Sequence, residues 1–428
     1  MINNHYFYSR THSHDVMRAK NLILTLLLAL ICPCFAAAQT AGDSLIVLTG
    51  TVKDQRNKKV ITNAYVTVRG TNIGTVTNAD GVFSLKLTAA KNHTIDVSHI
   101  GYHSASFSSA NAAQSATIFL ARSTKVLDEV VVTTGDARDI FVEAMRRVPE
   151  NYSLTNDSLT AFYRETVQKG KRYTSIAEAM ASIAKTSYKW QSIAGDRVKL
   201  LKGRRLMSQK ASDTLAIKVQ GGPTLALQFD FAKNGELPFS HSDIAFYKFK
   251  MLDPTFLDDR RQFVISIEPM IVDDVALFGG KAYIDAESLA FTRIDLDIDM
   301  RDRDKVVSTI LRKKPKGLHF KPLSVQFVIS YRQTGGRYFL NYVKNEIRFK
   351  CDWKRRLFSS TYTSCTEMVV VDNAQDAHPA ISRKESFSPS QVFYDVVQEY
   401  WDPDFWRDYN ILEPTESLEK AVEKLKKR

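Results

Sequence analysis

The chain is poor in the residues that carry metal and redox chemistry. Of its 428 residues only four are cysteine and nine histidine. Cys32 and Cys34 fall in an N-terminal leader, which leaves Cys351 and Cys365, and these do not form a Cys-x-x-Cys redox pair. The sequence has no His-Glu-x-x-His or comparable zinc spacing. It has neither a Gly-x-Ser-x-Gly elbow nor a phosphate-binding loop. Beyond the leader no apolar run reaches the length of a membrane-spanning helix, and the strands are too few for a large outer-membrane barrel. Nothing in the composition points to disorder or to a collagen-like repeat. No catalytic, cofactor-binding or metal-ligating set is therefore assigned, and no cofactor is expected.

What is present begins with an export signal. Met17-Arg18-Ala19-Lys20 is a short basic stretch, Leu22 to Ile31 is apolar and uncharged, and Ala36-Ala37-Ala38 supplies the small residues that a signal peptidase reads. Residues 1–38 are thus expected to be a leader and signal peptide, with Met17 the better initiator and cleavage before Gln39. A lipoprotein would need a small residue before its cysteine, where Ile31 and Pro33 stand. The expected location is the periplasm or outer membrane.

The formal net charge is +12. The leader contributes Arg10, Arg18 and Lys20 against Asp15, so the mature chain keeps about +10. Export argues against a nucleic-acid partner. An envelope protein, a glycan or a lipid remains, with peripheral membrane association open; scattered basic residues otherwise form solvated faces. Hydrophobic residues at 44% and charged residues at 25% are ordinary for a globular protein, and the length allows two or three domains.

The fold class expected is mainly β, a small sandwich followed by a larger α+β region. In residues 45–121, Val47, Thr49, Thr51 and Lys53 alternate with Leu48, Gly50 and Val52; Ala64, Val66 and Val68 alternate with Tyr65, Thr67 and Arg69. Such alternation, with turns every ten residues or so, describes an all-β sandwich. Gly70, Gly74, Asp80, Gly81 and Gly101 are read as structural turn residues.

These residues also carry a resemblance. Gly50-Thr51-Val52-Lys53-Asp54, Ala64 through Thr71, Gly74-Thr75-Val76-Thr77, Asp80 through Leu85 and Ser98-His99-Ile100-Gly101-Tyr102 follow one family in order. The segment resembles the carboxypeptidase-regulatory-like domain, a transthyretin-type seven-strand sandwich. The resemblance implies an accessory, non-catalytic module of exported Gram-negative proteins, found among others at the start of TonB-dependent transporters. Residues 122–138 are read as a linker or strand; Leu127 to Thr133 is similar to the transporter segment that precedes the plug.

Residues 139–428 are expected to form an α+β domain. Ile140, Phe141, Ala144, Met145 and Val148 make one helical stripe that Pro149 ends. A second helix is expected over Lys171 to Thr186, with Tyr173, Ile176, Met180 and Ile183 on one face. Long alternating strands follow to Val371, among them Lys305 to Leu311 and Leu323 to Tyr331, punctuated by glycine turns. They predict a curved antiparallel meander, an incomplete barrel with a buried face. Gly280 to Ala290 resembles a segment of the periplasmic lipoprotein-carrier fold. A last helix follows Pro414, with Leu418, Val422 and Leu425 together and Glu416 placed to pair with Lys420.

Several groups merit weighing as sites. Tyr400, Trp401, Phe405, Trp406 and Tyr409 cluster near the C-terminus and are candidate interaction residues, for stacking on sugar rings or capping a sheet edge. His93, His99 and His103 lie close in sequence but need strand geometry to converge. Asp295, Asp297 and Asp299 have strand spacing, not that of a calcium loop. Cys351 and Cys365 could bridge in an oxidising compartment. The leading expectation is a non-enzymatic binding or assembly protein. The alternatives are an accessory of TonB-dependent glycan or nutrient uptake, an apolar-ligand or lipid carrier, and an unrecognised hydrolase whose first suspects are Glu165, Asp295 and the aromatic end.

Overall fold

The structure is a computed structural model that describes residues 45–89, 92–110, 115–123, 136–209, 218–219, 221–235, 243–271, 276–313, 316–353, 359–375, 380–402 and 409–426. The export signal and the junction at 127–133 lie outside them. So do Phe405 and Trp406.

Seven strands come first: β1 (Leu45–Asp54), β2 (Tyr65–Val68), β3 (Gly74–Val76), β4 (Val82–Thr88), β5 (Thr94–Ser98), β6 (Ala105–Ser108) and β7 (Ser115–Leu120). They form a three-stranded sheet, β4-β1-β7, and a four-stranded one, β3-β2-β5-β6. Strands β1 and β7 run parallel, from Thr49 opposite Ser115 to Asp54 opposite Leu120. The sandwich core takes Val52, Val66, Phe83, Leu85, Ile95 and Val97, all fully buried, each contributing roughly 1.5–3 kcal/mol of transfer free energy. The end of β1 is fixed by its own carboxylate. Asp54 accepts the backbone N–H groups of Arg56 and Asn57, the Tyr102 hydroxyl and Arg122 Nε. The Asn57 amide and the Arg122 guanidinium hold it well below the usual carboxylate range.

The remaining chain builds a curved sheet of ten antiparallel strands that does not close. In chain order its strands are β8 (Asp157–Lys169), β9 (Arg172–Lys185), β10 (Arg197–Met207), β12 (Tyr247–Leu257), β13 (Arg260–Pro269), β14 (Phe278–Asp285), β15 (Phe291–Ile298), β17 (Leu318–Thr334), β18 (Arg337–Trp353) and β19 (Ser360–Gln375). Short β11 (Lys218–Val219) and β16 (Leu311–Lys313) pair separately. The large sheet runs β10-β9-β8-β19-β18-β17-β15-β14-β13-β12. A meander from β12 to β19 is thus extended by the three earliest strands, through pairing of β8 with β19.

One face of this sheet is covered by the chain's own helices and turns: α1 (Ala137–Arg146), α2 (Val148–Asn151) and α3 (Pro223–Gln228). Phe141, Tyr152, Tyr188 and Leu227 pack there against Tyr163, Ile265, Phe291 and Ile329. Asp136 caps α1, accepting the backbone N–H of Arg138. The other face meets the sandwich, where Tyr65 and Val76 pack on Phe162, Met180, Tyr342 and Val369. As the alternation predicts, Val325, Phe327 and Ile329 share the helix-covered face, whereas Val328 packs on the sandwich side.

Two expected elements are corrected. Residues 172–185 are strand β9, not a helix. Its inward face is Ala177, Ala179, Ala181 and Ile183, while Ile176 and Met180 face the other way. The spacing that imitates a helical stripe arises because both faces are buried, and backbone pairing to β8 and β10 overrides alanine's helical preference. Conversely, much of the expected strand 305–311 is α4 (Arg303–Ile310). Asp302 caps it by accepting from Asp304 and Lys305, and Val306 and Ile310, four apart, are buried together.

After short α5 (Phe393–Val396), the final helix, α6 (Glu416–Lys426), packs Leu418 and Val422 on Ile176, with Glu416 and Lys420 paired as expected. The segment leading into it is stitched on both sides. Asn410 Oδ1 accepts from Lys86 N at 2.6 Å, the Ile411 carbonyl from Thr75 Oγ1 at 3.1 Å, and the Glu413 and Pro414 carbonyls from Asn78 Nδ2 at 3.1 and 3.0 Å. From the sheet, Arg164 Nη2 donates to the Leu412 carbonyl at 2.8 Å. Arg164 itself is held by buried Glu178, whose other oxygen takes Arg204.

Candidate functional site

The most concentrated buried chemistry lies at the end of β9. Alternation carries the inward face from Ile183 to Lys185, so a lysine enters the core. Its Nζ is 2.5 Å from Asp230 Oδ2 and 3.3 Å from Asp196 Oδ2. Asp196, just before β10, also accepts Lys233 Nζ at 2.5 Å and both the backbone N–H and the hydroxyl of Thr186 at 2.9 Å. Asp230 follows α3 and accepts the hydroxyls of Tyr188 at 2.8 Å and Tyr331 at 3.0 Å. Tyr152 stacks on Tyr188 with ring centroids 5.0 Å apart and meets Tyr331 edge-on. All four ionisable groups are buried.

Two lysines face two aspartates, so the cluster is neutral overall, and its charges stay within hydrogen-bond reach of one another. Burial opposes the charge on Lys185, but Asp230 and Asp196 hold its pKa above the ordinary range. Burial also opposes the charge on Asp196, yet the two lysines keep its pKa low. Burial and the charge of Lys185 push Lys233 down to about 8. Burial, with Asp230 beside them, raises the Tyr188 and Tyr331 hydroxyls well above their usual range.

Asp196 also forms part of the wall of a cleft of about 570 Å³. Residues 191–197, α3 with the turn after it, and residues 383–389 surround this cleft. On the far side of the same turn lies a void of about 30 Å³ between Val148, Phe231 and Phe291.

The residues singled out from the sequence are spread elsewhere. Tyr400 is partly buried against the main core. Trp401 is 48% exposed, and its backbone bridges to Gly203 on β10. Tyr409 packs beneath the sandwich, with Lys202 Nζ 5.8 Å from its ring centre. Gly70, Gly81 and Gly101 have positive φ. Gly74 sits where a Cβ would come within 2.6 Å of Arg332 Nη1. Asp80 reaches the final helix. Cys351 stands opposite Ser360 and Cys365 opposite Glu346, and neither is in a disulfide in this structure.

Asp295, Asp297 and Asp299 are engaged by Arg293, Gln326 and Arg301 respectively. His103 pairs with Asp259, while burial pushes the His99 ring down to about 4 beside the Ile100 carbonyl. Glu165 and Asp295 do not form a carboxylate pair. Four strand spacings separate β8 from β15, about 19 Å at the usual interval. Glu165 accepts from the Tyr163 hydroxyl and the Gly222 amide. Sequence reading missed the Lys185 cluster; a period-two reading of 177–185 would have marked Lys185 alone, as a charge on an apolar face, and none of its partners.

Residues 48–132 match the family model described as the CarboxypepD_reg-like domain. The sandwich is a domain of this kind. Among curated proteins the chain is 36% identical over 116 residues to the TonB-dependent receptor SusC of Bacteroides thetaiotaomicron, covering 27% of this chain and 11% of the receptor. Solved structures with similarity to the chain include one described as an outer-membrane lipoprotein-sorting protein domain, from Vibrio parahaemolyticus (10% identity, 58% of this chain and 97% of that one, TM-score 0.25). Another is a LolA superfamily protein from Nitrosomonas europaea (8% identity, 56% and 94%, TM-score 0.21). Both structural likenesses are weak. No helix among the described residues is long and apolar enough to cross a membrane.

Proposed function

We propose that the protein is a non-enzymatic, exported binding or assembly protein of the periplasm or outer membrane. In this reading the sandwich is an accessory module and the large sheet is the body it serves. The observation that carries the reading is the covered face of the ten-stranded sheet. An acyl-chain carrier needs an open apolar cavity there. Phe141, Tyr152, Tyr188 and Phe231 instead occupy that face as fully or nearly fully buried side chains. The sheet is then a prebuilt platform whose interactions lie on its surface and in the cleft beside Asp196.

The test is fractionation of the protein's own envelope followed by native mass spectrometry. The expected result is a chain beginning at Gln39, in the periplasmic or outer-membrane fraction, without bound lipid. Stoichiometric lipid would restore the carrier reading, and a cytoplasmic chain would remove the envelope reading. A second reading, an accessory of TonB-dependent uptake, is favoured by the identity with the receptor over 116 residues. It requires that the protein co-purify with a receptor of that class after mild solubilisation.

A further inference from the structure

Among the described residues, the cleft beside Asp196 carries a charge that its surroundings do not cancel. Beneath it, Lys185 and Lys233 balance Asp196 and Asp230. Close to the rim, Lys199 and Glu385 neutralise each other at 2.8 Å. Two cations of the wall remain, Arg197 and Arg383. Arg197 Nη1 donates to the carbonyls of Ala194 and Asp196 at 2.9 and 2.8 Å, which steadies the guanidinium without neutralising it. Arg383 has no hydrogen bond or ion pair among the described residues, and its side chain is exposed. Guanidinium groups with free N–H donors are suited to carboxylate and phosphate oxygens.

The rest of the wall is of two kinds. The Gln228 side chain also lacks a hydrogen-bond partner among the described residues, and Ser192 and Ser388 add hydroxyls. Amides and hydroxyls both donate and accept, as a polyhydroxylated ligand requires. Ile193 and Pro389 supply apolar surface, with buried Leu227 and Phe387 behind them, against which the C–H face of a ring can lie. The volume, about 570 Å³, is in the range of small-molecule sites.

We propose that this cleft binds a small anionic sugar, a sugar acid or sugar phosphate, with its charged group on the Arg197 and Arg383 side and its ring toward Ile193 and Pro389. The inference deepens the binding-protein reading and rests on it only for the existence of a ligand. Bound lipid in native mass spectrometry would overturn the filled-face argument and leave the cleft to be judged separately.

The experiment is calorimetric titration of the full mature chain with glucuronate and with glucose 6-phosphate, against glucose and inorganic phosphate as controls. At least one charged sugar should bind, with affinity falling as salt is raised. Arg383→Gln should weaken binding at least tenfold at an unchanged melting temperature. Gln228→Ala, which leaves every charge in place, should weaken the charged sugar without altering the salt dependence. The two charged probes separate a carboxylate from a phosphate preference. Absence of binding by both would overturn the proposal, as would glucose binding equally well. Inorganic phosphate matching the sugar phosphate would reduce the cleft to a bare anion site, and an unaffected Arg383→Gln protein would remove its cationic basis.

Discussion

Asp80 Oδ2 accepts the backbone N–H of Glu416 at 2.8 Å, so a turn of the sandwich caps the first turn of the helix that ends the chain. The two residues are 336 positions apart. Asn78, two residues earlier, holds the carbonyls of Glu413 and Pro414. Replacing Asp80 by alanine removes one cap, which ordinarily costs about 1 kcal/mol. The expected outcome in urea unfolding of the full chain is a lower midpoint at unchanged slope. Gly81→Val acts through the backbone of the same turn. Its φ is +71° and a Cβ would meet Val60 at 2.8 Å, so a loss of about 1–3 kcal/mol is expected.

Glu178 lies between Arg164 and Arg204, at 2.6 and 2.5 Å. Glu178→Gln leaves two buried guanidinium groups facing an amide, and a loss of about 3–5 kcal/mol is expected. Burial opposes the Glu178 charge, but the two arginines hold its pKa below the ordinary carboxylate range. The stabilisation is therefore complete above the unfolded-state pKa and is lost as pH falls through the lower folded value. Unfolding midpoints of the two proteins should converge in acid. A difference that persists undiminished there would contradict the assignment.

Lys233 gives a dependence at the opposite end of the scale. Its folded pKa of about 8 lies below the ordinary lysine value of 10.5. Between these two values the unfolded chain binds more protons than the folded one, so stability rises with pH. Relative to Lys233→Met, the wild-type protein should gain stability on going from pH 8 to pH 10. Paired unfolding curves across that interval measure it, and a flat difference would show that Lys233 keeps its proton.

The cysteines should remain thiols. Each lies five residues along from the other's partner in the β18–β19 register, about 17 Å at the usual rise per residue. This is far beyond disulfide reach. Part of Cys365 reaches the surface, yet burial and then Glu367 push its thiol pKa far up. Mass spectrometry of unreduced protein should show two free thiols, and Cys365 should react slowly with alkylating reagents at neutral pH.

Much of this architecture could be read in the sequence where one face is polar. The sandwich strands and Leu323 to Tyr331 follow simple alternation, and Leu418, Val422 and the Glu416–Lys420 pair mark the last helix. Reading failed where both faces are buried. In β9 the inward alanines are weakly hydrophobic, so Ile176 and Met180, which point the other way, dominate the pattern. Residues 305–311 failed for another reason: the capping by Asp302 decides for helix, and a short apolar stretch does not reveal it. The Lys185 cluster was illegible because its members, Lys185, Asp196, Asp230 and Lys233, come from separate elements. No local spacing expresses a partnership that only the sheet creates.

The pairing of β8 with β19 imposes an order on folding. Asp157 finds its partner in Gln375, so β8 has β9 beside it early but lacks its second neighbour until almost the whole chain is available. Contacts so distant in sequence slow the search for the native state. During that wait the edge of β8, with Phe162 and Tyr163 on its two faces, is an unpaired apolar template of the kind that invites association with another chain. A protein that emerges unfolded on the far side of a membrane would meet this interval without completed strands to shield it. If the chain is exported as proposed, holding factors that bind extended apolar segments should therefore have their greatest effect on yield while β19 is still unpaired, and little once it has docked.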